Sequence, residues 1–172
     1  YREHNHVMVN EKQPAEASVL ERNWRVRAEK VICATGAIER ALVFSCNDVP
    51  GVMMASAVQG YVNRYAVKPG RRIAIFTNND SAYDVANDLL VAGVEVCALI
   101  DIRAEPTAAP PEGIELHKNH VVTRVIGGRS VKAVLVAPRS GGKVRRINCD
   151  VLAHSGGWNP AVHLFSQSRG SL

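Results

Sequence analysis

Thr77-Asn78-Asn79-Asp80 and Asp101 have the residue types and spacing to do chemistry. The first four form a polar turn straight after the apolar run Ile73-Ala74-Ile75-Phe76. Asp101 closes a second apolar run, Val94 to Ile100. A carboxylate at the end of the second strand of a strand–helix–strand unit can accept from a ribose hydroxyl. The first turn can then rest a pyrophosphate on a helix N-terminus. The spacing suits a dinucleotide, but the turn chemistry does not follow. Thr-Asn-Asn-Asp-Ser stands where glycines would let a pyrophosphate approach the backbone. Asn tolerates left-handed backbone, so the tight turn survives, whereas Asp80 would repel a phosphate. Two readings stand open, a working nucleotide site and a structural unit that holds none.

The elements that must position these residues run from Arg71 to Arg103. Ile73 to Phe76 is continuously apolar, as a strand buried on both faces should be. Asp80 or Asn79 is placed to cap the following helix through its short side chain. Val85, Leu89 and Leu90 make an apolar helix face, with Tyr83 flanking it, and Gly93 stops the helix. Val94 to Ile100 is the second buried strand, and a right-handed crossover joins the two.

A second pair of turns follows other strand-like runs. Lys30 to Ala37 is an apolar run that ends at Ala34-Thr35-Gly36, and Cys149 to His154 is another that ends at Ser155-Gly156-Gly157. Glycine has no Cβ to block a ligand that approaches the backbone. Val7 to Val9 is a short strand, Glu11 to Ser18 a loop, and Trp24, Val26 and Ala28 one face of a half-buried strand. Val52 to Tyr65 is a helix, with Met54, Ala57, Val58, Tyr61, Val62 and Tyr65 as its core stripe. Ile114 to His117 is a short strand. Val121 to Ile126, Ser130 to Val136 and Lys143 to Ile147 form an antiparallel three-stranded meander around two Gly-Gly turns. A last helix starts near Ala161.

Composition narrows the class. The 172 residues carry a net charge of +5, and the densest basic cluster, Arg139 to Arg146, surrounds a Gly-Gly turn without interleaved aromatics. A solvated hairpin tip fits this better than a nucleic-acid surface. No apolar run reaches the length of a membrane span and no secretory signal opens the chain. The four cysteines lack metal-type spacing and a CxxC redox pair, which points to reduced thiols in a cytoplasmic protein. His4 and His6 share a strand face but lack further ligands, and His117 and His120 read as surface residues. His154 either touches a nucleotide or packs at a strand end. No nucleophile elbow or acid–base pair is present, so no catalytic residue is assigned.

The order of these features resembles flavoproteins with two dinucleotide-binding domains, the pyridine nucleotide–disulfide oxidoreductase class. The segments ATGAIER, TNND and SGGWNP with VHLFSQ, taken together, are similar to the α subunits of heterotetrameric sarcosine oxidases. The resemblance implies an α/β fold, a Rossmann-like parallel sheet with an antiparallel meander. It implies an internal part of a longer subunit. Residues 1–50 would end the first half of an FAD/NAD-type domain, 51–148 an inserted dinucleotide-binding-like domain, and 149–172 the return to the first. Ala34, Thr35, Gly36, Ser155, Gly156 and Gly157 would line the nucleotide of the first domain. Thr77, Asn78, Asn79 and Asp101 would form the counterpart in the second, with Asp101 favouring NAD over NADP and Arg103 opposing that preference. The implied cofactor is NAD, with FAD, FMN and folate confined to the full complex. The implied partners are a flavin-bearing catalytic β subunit and small subunits, and the implied reaction of the complex is oxidative demethylation of sarcosine. A docking module with a decayed nucleotide site, or a subunit of another amine or imino-acid dehydrogenase, is the alternative. The isolated chain is expected to self-associate through apolar surface left uncovered.

Overall fold

The computed structural model describes residues 2–4 and 21–169. The strand expected at Val7 to Val9, the loop at Glu11 to Ser18 and His6 lie outside them. In chain order the elements begin with β1 (Arg2–His4), β2 (Glu21–Asn23), β3 (Ala37–Glu39) and β4 (Val52–Met54). Then come α1 (Ala55–Tyr65), β5 (Arg72–Thr77), α2 (Ser81–Val91), β6 (Glu95–Asp101) and β7 (Leu116–Lys118). The chain continues with β8 (His120–Gly127), β9 (Val131–Pro138), β10 (Arg145–Asn148), β11 (Val151–Ser155), β12 (Trp158–Pro160) and α3 (His163–Gln167).

The centre is a five-stranded parallel sheet in the order β4-β11-β5-β6-β7. Its β5 is buried on both faces, as its unbroken apolar sequence requires. Ile73 and Ile75 point to one side, into a cluster with Val58 of α1 and Tyr83, Val85 and Leu89 of α2. Ala74 and Phe76 point to the other, into a cluster with Val122, Val125, Val134 and Val136 of the meander. Helices therefore cover one face of the sheet and the antiparallel sheet β10-β9-β8 covers the other. The alternation of side chains along a strand produces this three-layer arrangement. Gly93, at φ 68°, ends α2 as expected, and the amides of Gly93 and Val94 bond the carbonyls of Leu90 and Leu89.

Several expectations need correction. Residues 24–36 form no strand, and Trp24, Val26, Val31 and Ile32 are exposed. An apolar or alternating run becomes a strand only when a neighbour takes up its backbone groups. No described strand pairs with this one. Val52 to Met54 is an edge strand and not the start of a helix, since its backbone pairs with β11. In α1 the buried positions are Ala55 and Val58, while Tyr61 and Tyr65 are exposed. Leu90 likewise leaves the buried face of α2. His117 is buried because β7 joins β6 and sets it beside Ile100. The strand β11 of the 149–172 stretch is hydrogen-bonded on both sides to strands of the 51–148 stretch.

Candidate dinucleotide site

At the C-terminal ends of β5 and β11, three turns come together. Parallel strands β5 and β11 run side by side with Thr77 level with Ser155, so the turns after them start at the same height. The short strands β3 and β12 then pair antiparallel, with Glu39 opposite Trp158 and Ala37 opposite Pro160. Their pairing brings the Ala34-Thr35-Gly36 turn against the chain that leaves Gly157. The Gly156 amide donates to the Arg40 carbonyl at 2.7 Å, and the Arg40 amide to the Gly157 carbonyl at 2.8 Å. The Ala161 amide donates to the Gly36 carbonyl at 2.9 Å, and the Thr35 hydroxyl donates to the Ala161 carbonyl. Thr35 and Gly36 are thus tied through Ala161, and Gly156 and Gly157 through Arg40, into one junction.

Gly36 and Gly157 adopt φ values of 67° and 88°, in the left-handed region that favours glycine. A Cβ built on Gly36 meets nothing within 4 Å, so its backbone borders open space. The adjoining chain, Val31 and Cys33 with Leu164, Phe165 and Ser168 around α3, walls a cleft of about 680 Å³. Open glycine backbone beside an apolar cleft fits the needs of a dinucleotide, which presents phosphates to N–H groups and an aromatic base to apolar walls.

The second set of expected residues is arranged differently. Thr77 Oγ1 accepts from the Asn79 amide at 3.1 Å and donates to the Asn79 carbonyl at 3.0 Å. Asn79 Nδ2 donates to Ser155 Oγ at 3.0 Å and to the Ser155 carbonyl at 3.3 Å. The Asn78 amide also donates to the Ser155 carbonyl, at 3.3 Å. Asp80 occupies the N-cap position but makes no side-chain cap, a correction to the expectation for both Asp80 and Asn79. Its carboxylate turns instead to Arg103 Nη2, 2.6 Å away. That guanidinium holds the Asp80 carboxyl below its ordinary range.

Asp101 is completely buried. Its Oδ1 accepts from the Arg103 amide at 2.8 Å and from Arg103 Nε at 3.1 Å. Its Oδ2 accepts from Arg103 Nη2 at 2.8 Å and from the Tyr83 hydroxyl at 2.9 Å. A carboxylate offers about four acceptor positions, and all are taken. Burial, and next the bond to Asp101, push the Tyr83 hydroxyl above its ordinary pKa. The bond to Asp101 leads the effects that push the Arg103 guanidinium up. A ribose hydroxyl could reach Asp101 only by displacing Arg103 or Tyr83, and Asn79 fills the turn where a pyrophosphate would lie. These residues do not fit a dinucleotide as they stand. The arginine two residues beyond Asp101 was the signal in the sequence.

His154 packs. It is 6% exposed, its Nδ1 accepts from the Leu42 amide at 3.2 Å, and its ring meets Phe44 edge-on at 5.3 Å. All four cysteines are free thiols, and burial first pushes Cys149 up to about 12. Among the described residues no group of three or more His, Cys, Asp or Glu could hold a metal, and no helix is long and apolar enough to cross a membrane.

The chain is 44% identical over 158 residues to the sarcosine oxidase α subunit of Rhizobium meliloti (strain 1021), covering 92% of this chain and 16% of that protein. It is 43% identical over 162 residues to the sarcosine oxidase α subunit of Corynebacterium sp. (strain U-96), covering 88% of this chain and 17% of that protein. The chain thus spans about a sixth of the length of these relatives. Among solved structures, the L-proline dehydrogenase of P. horikoshii matches with a TM-score of 0.57 and 26% identity, over 81% of this chain and 23% of that one. Thioredoxin reductase of T. acidophilum matches with a TM-score of 0.61 and 18% identity, over 74% of this chain and 44% of that one. No protein-family profile matches. The fold is that of the pyridine nucleotide–disulfide oxidoreductases, and the chain is similar to part of an oxidoreductase subunit.

Proposed function

We propose, from that similarity, that the chain is the dinucleotide-binding and scaffolding region of a sarcosine oxidase α-like subunit. The nucleotide is NAD, held at the junction of Ala34-Thr35-Gly36 with Ser155-Gly156-Gly157. One observation carries the reading. The β3–β12 pairing joins two glycine turns from distant parts of the chain around open backbone. When bound, NAD would supply a hydride acceptor. Backbone N–H groups of the turns would orient its phosphates, and the Val31–Phe165 cleft would take an aromatic end. Residues 1–50 and the chain from Gly156 onward then act as parts of a first domain, around a unit that includes 51–148. The whole complex would oxidise sarcosine to its demethylated product, with the amine chemistry on a flavin-bearing partner subunit, in the cytoplasm. The saturation of Asp101 favours a second role for the 72–101 unit, as a scaffold whose own nucleotide site has decayed.

The test is calorimetric titration with NAD and NADP of the α-like subunit that carries this chain. Gly36→Asn keeps the left-handed backbone accessible and fills the open space beside it. NAD binding is expected in the wild type and lost in this variant. Asp101→Asn is expected to lower unfolding free energy by about 2–4 kcal/mol, because it leaves Arg103 without its carboxylate, and to keep NAD affinity. Loss of NAD binding in Asp101→Asn alone would move the site to the 77–101 unit, and no binding by the wild type would overturn the reading.

A further inference from the structure

We infer that Asn79, Ser81 and Trp158 are positioning residues for the Gly156-Gly157 turn, so that the turn after β5 serves the neighbouring nucleotide site and not one of its own. The inference rests on the dinucleotide reading above. Asn79 Nδ2 donates to Ser155 at Oγ and at the carbonyl, and also to Asn78 Oδ1 at 3.2 Å. Asn79 Oδ1 accepts from Ser81 Oγ at 2.6 Å, and Ser81 Oγ in turn accepts from Trp158 Nε1 at 2.9 Å. Ser155 immediately precedes Gly156, and Trp158 immediately follows Gly157. The relay therefore grips the glycine turn at both of its ends.

The opposite side of the turn is fixed by backbone. Gly156 donates to the Arg40 carbonyl, and a Cβ built on Gly156 would lie 3.0 Å from that oxygen and 3.1 Å from the Ala41 carbonyl. The turn is held between the 36–41 segment on one side and the start of α2 on the other. Thr77 and Ser155 at the root of the relay are fully buried, which keeps water from competing at that end, while Trp158 at the other end is exposed. A glycine turn has no side chain with which to fix its own conformation. The Gly156 N–H is already given to the Arg40 carbonyl, so of the two glycines Gly157 is the one whose N–H could meet a phosphate, and that group needs to be aimed before the ligand arrives. The relay supplies that fixation from outside.

Three substitutions separate this role from simple support. Asn79→Ala cuts the relay at its centre, Ser81→Ala removes the hydroxyl between Asn79 and the indole, and Trp158→Phe keeps an aromatic ring but removes its N–H. Titrated with NAD in the α-like subunit, Asn79→Ala is expected to weaken binding about tenfold, and the other two several-fold. The double variant Asn79→Ala/Ser81→Ala is expected to bind about as Asn79→Ala does, since both break one chain of contacts. Gly127→Ala, in the far hairpin, provides a control that lowers stability without touching the relay, and it is expected to keep NAD affinity. If Asn79→Ala does not fold, Ser81→Ala and Trp158→Phe decide. Wild-type affinity in every relay variant overturns the inference while leaving the nucleotide reading intact. Affinity that simply tracks melting temperature across the relay variants and Gly127→Ala also overturns it. Absence of NAD binding by the wild type overturns both.

Discussion

Tyr83, Asp101 and Arg103 place a charge where the fold keeps no water, and they cancel it locally. Asp101 accepts hydrogen bonds from the Tyr83 hydroxyl and from the Arg103 amide, Nε and Nη2, and Arg103 carries its positive charge outward to Asp80 at the rim. Such a pair gives little net stability over an apolar replacement, but removal of one partner is costly. Two histidines are buried without a similar partner of full strength. Burial lowers the pKa of both His117 and His154, with Glu115 opposing it at the first and Glu39 at the second. Their folded values lie below the ordinary 6.5, so the unfolded chain binds protons first as pH falls. Their stabilising contribution is complete above that pH and is lost as pH drops through the lowered folded values. Stability should therefore rise with pH across this range for each histidine. Denaturant unfolding between pH 8 and pH 5 checks this. Stability should fall on the acid side in the wild type and fall less in His117→Gln/His154→Gln. A flat wild-type profile would contradict it. The Asp80 carboxyl, held down by Arg103, titrates beneath this window. Asp101 itself was legible in the sequence as the residue closing β6. Arg103 stood two residues on as a signal, but its folding back onto the carboxylate and Tyr83 reaching across from α2 are results of side-chain packing, which spacing does not encode.

At the scale of elements, turns with the same composition differ in what they tolerate. Gly127 ends β8 and Gly128 follows it in the turn to β9, and the pair is what marked the hairpin in the sequence. A Cβ on Gly127 would lie 2.2 Å from the Ser130 carbonyl, whereas one on Gly128 meets nothing within 4 Å. Gly127→Ala must therefore open the hairpin and is expected to cost about 1–3 kcal/mol. Gly128→Ala should stay within about 0.5 kcal/mol of the wild type. Thermal melts of the two variants give the comparison, and equal melting temperatures would refute it. The meander, β5, α2 and β6 were readable because each carries its own period and its own stop signal. Val31 to Ala37 carries the same signals and forms no buried strand, since strand formation depends on a partner and not on the run alone. The edge position of β4 was hidden for a related reason. Three apolar residues before a helix look like its first turn until β11 is known to lie beside them.

For the whole molecule, the outline of three layers followed from alternation and crossover rules, while the surface did not. Val31, Ile32, Val43, Tyr61, Tyr65, Val67 and Val91 are all exposed. Exposed apolar groups on this scale favour association. Sedimentation of the 172-residue chain is expected to show species larger than a monomer, increasing with concentration, and a monomer at high concentration would refute this. The order β4-β11-β5 has a further consequence, in time rather than in space. As the chain leaves a ribosome, β4, α1 and β5 are complete long before the strand that belongs between β4 and β5. That slot stays open while β6 through β10 are made, with strand edges on both sides able to pair with whatever strand arrives first. Closure waits for Val151 to Ser155, so an interior strand of the sheet is the last part to be made. A nascent chain halted before Val151 would present two unfilled edges and would be a substrate for a holding chaperone, not a smaller folded domain.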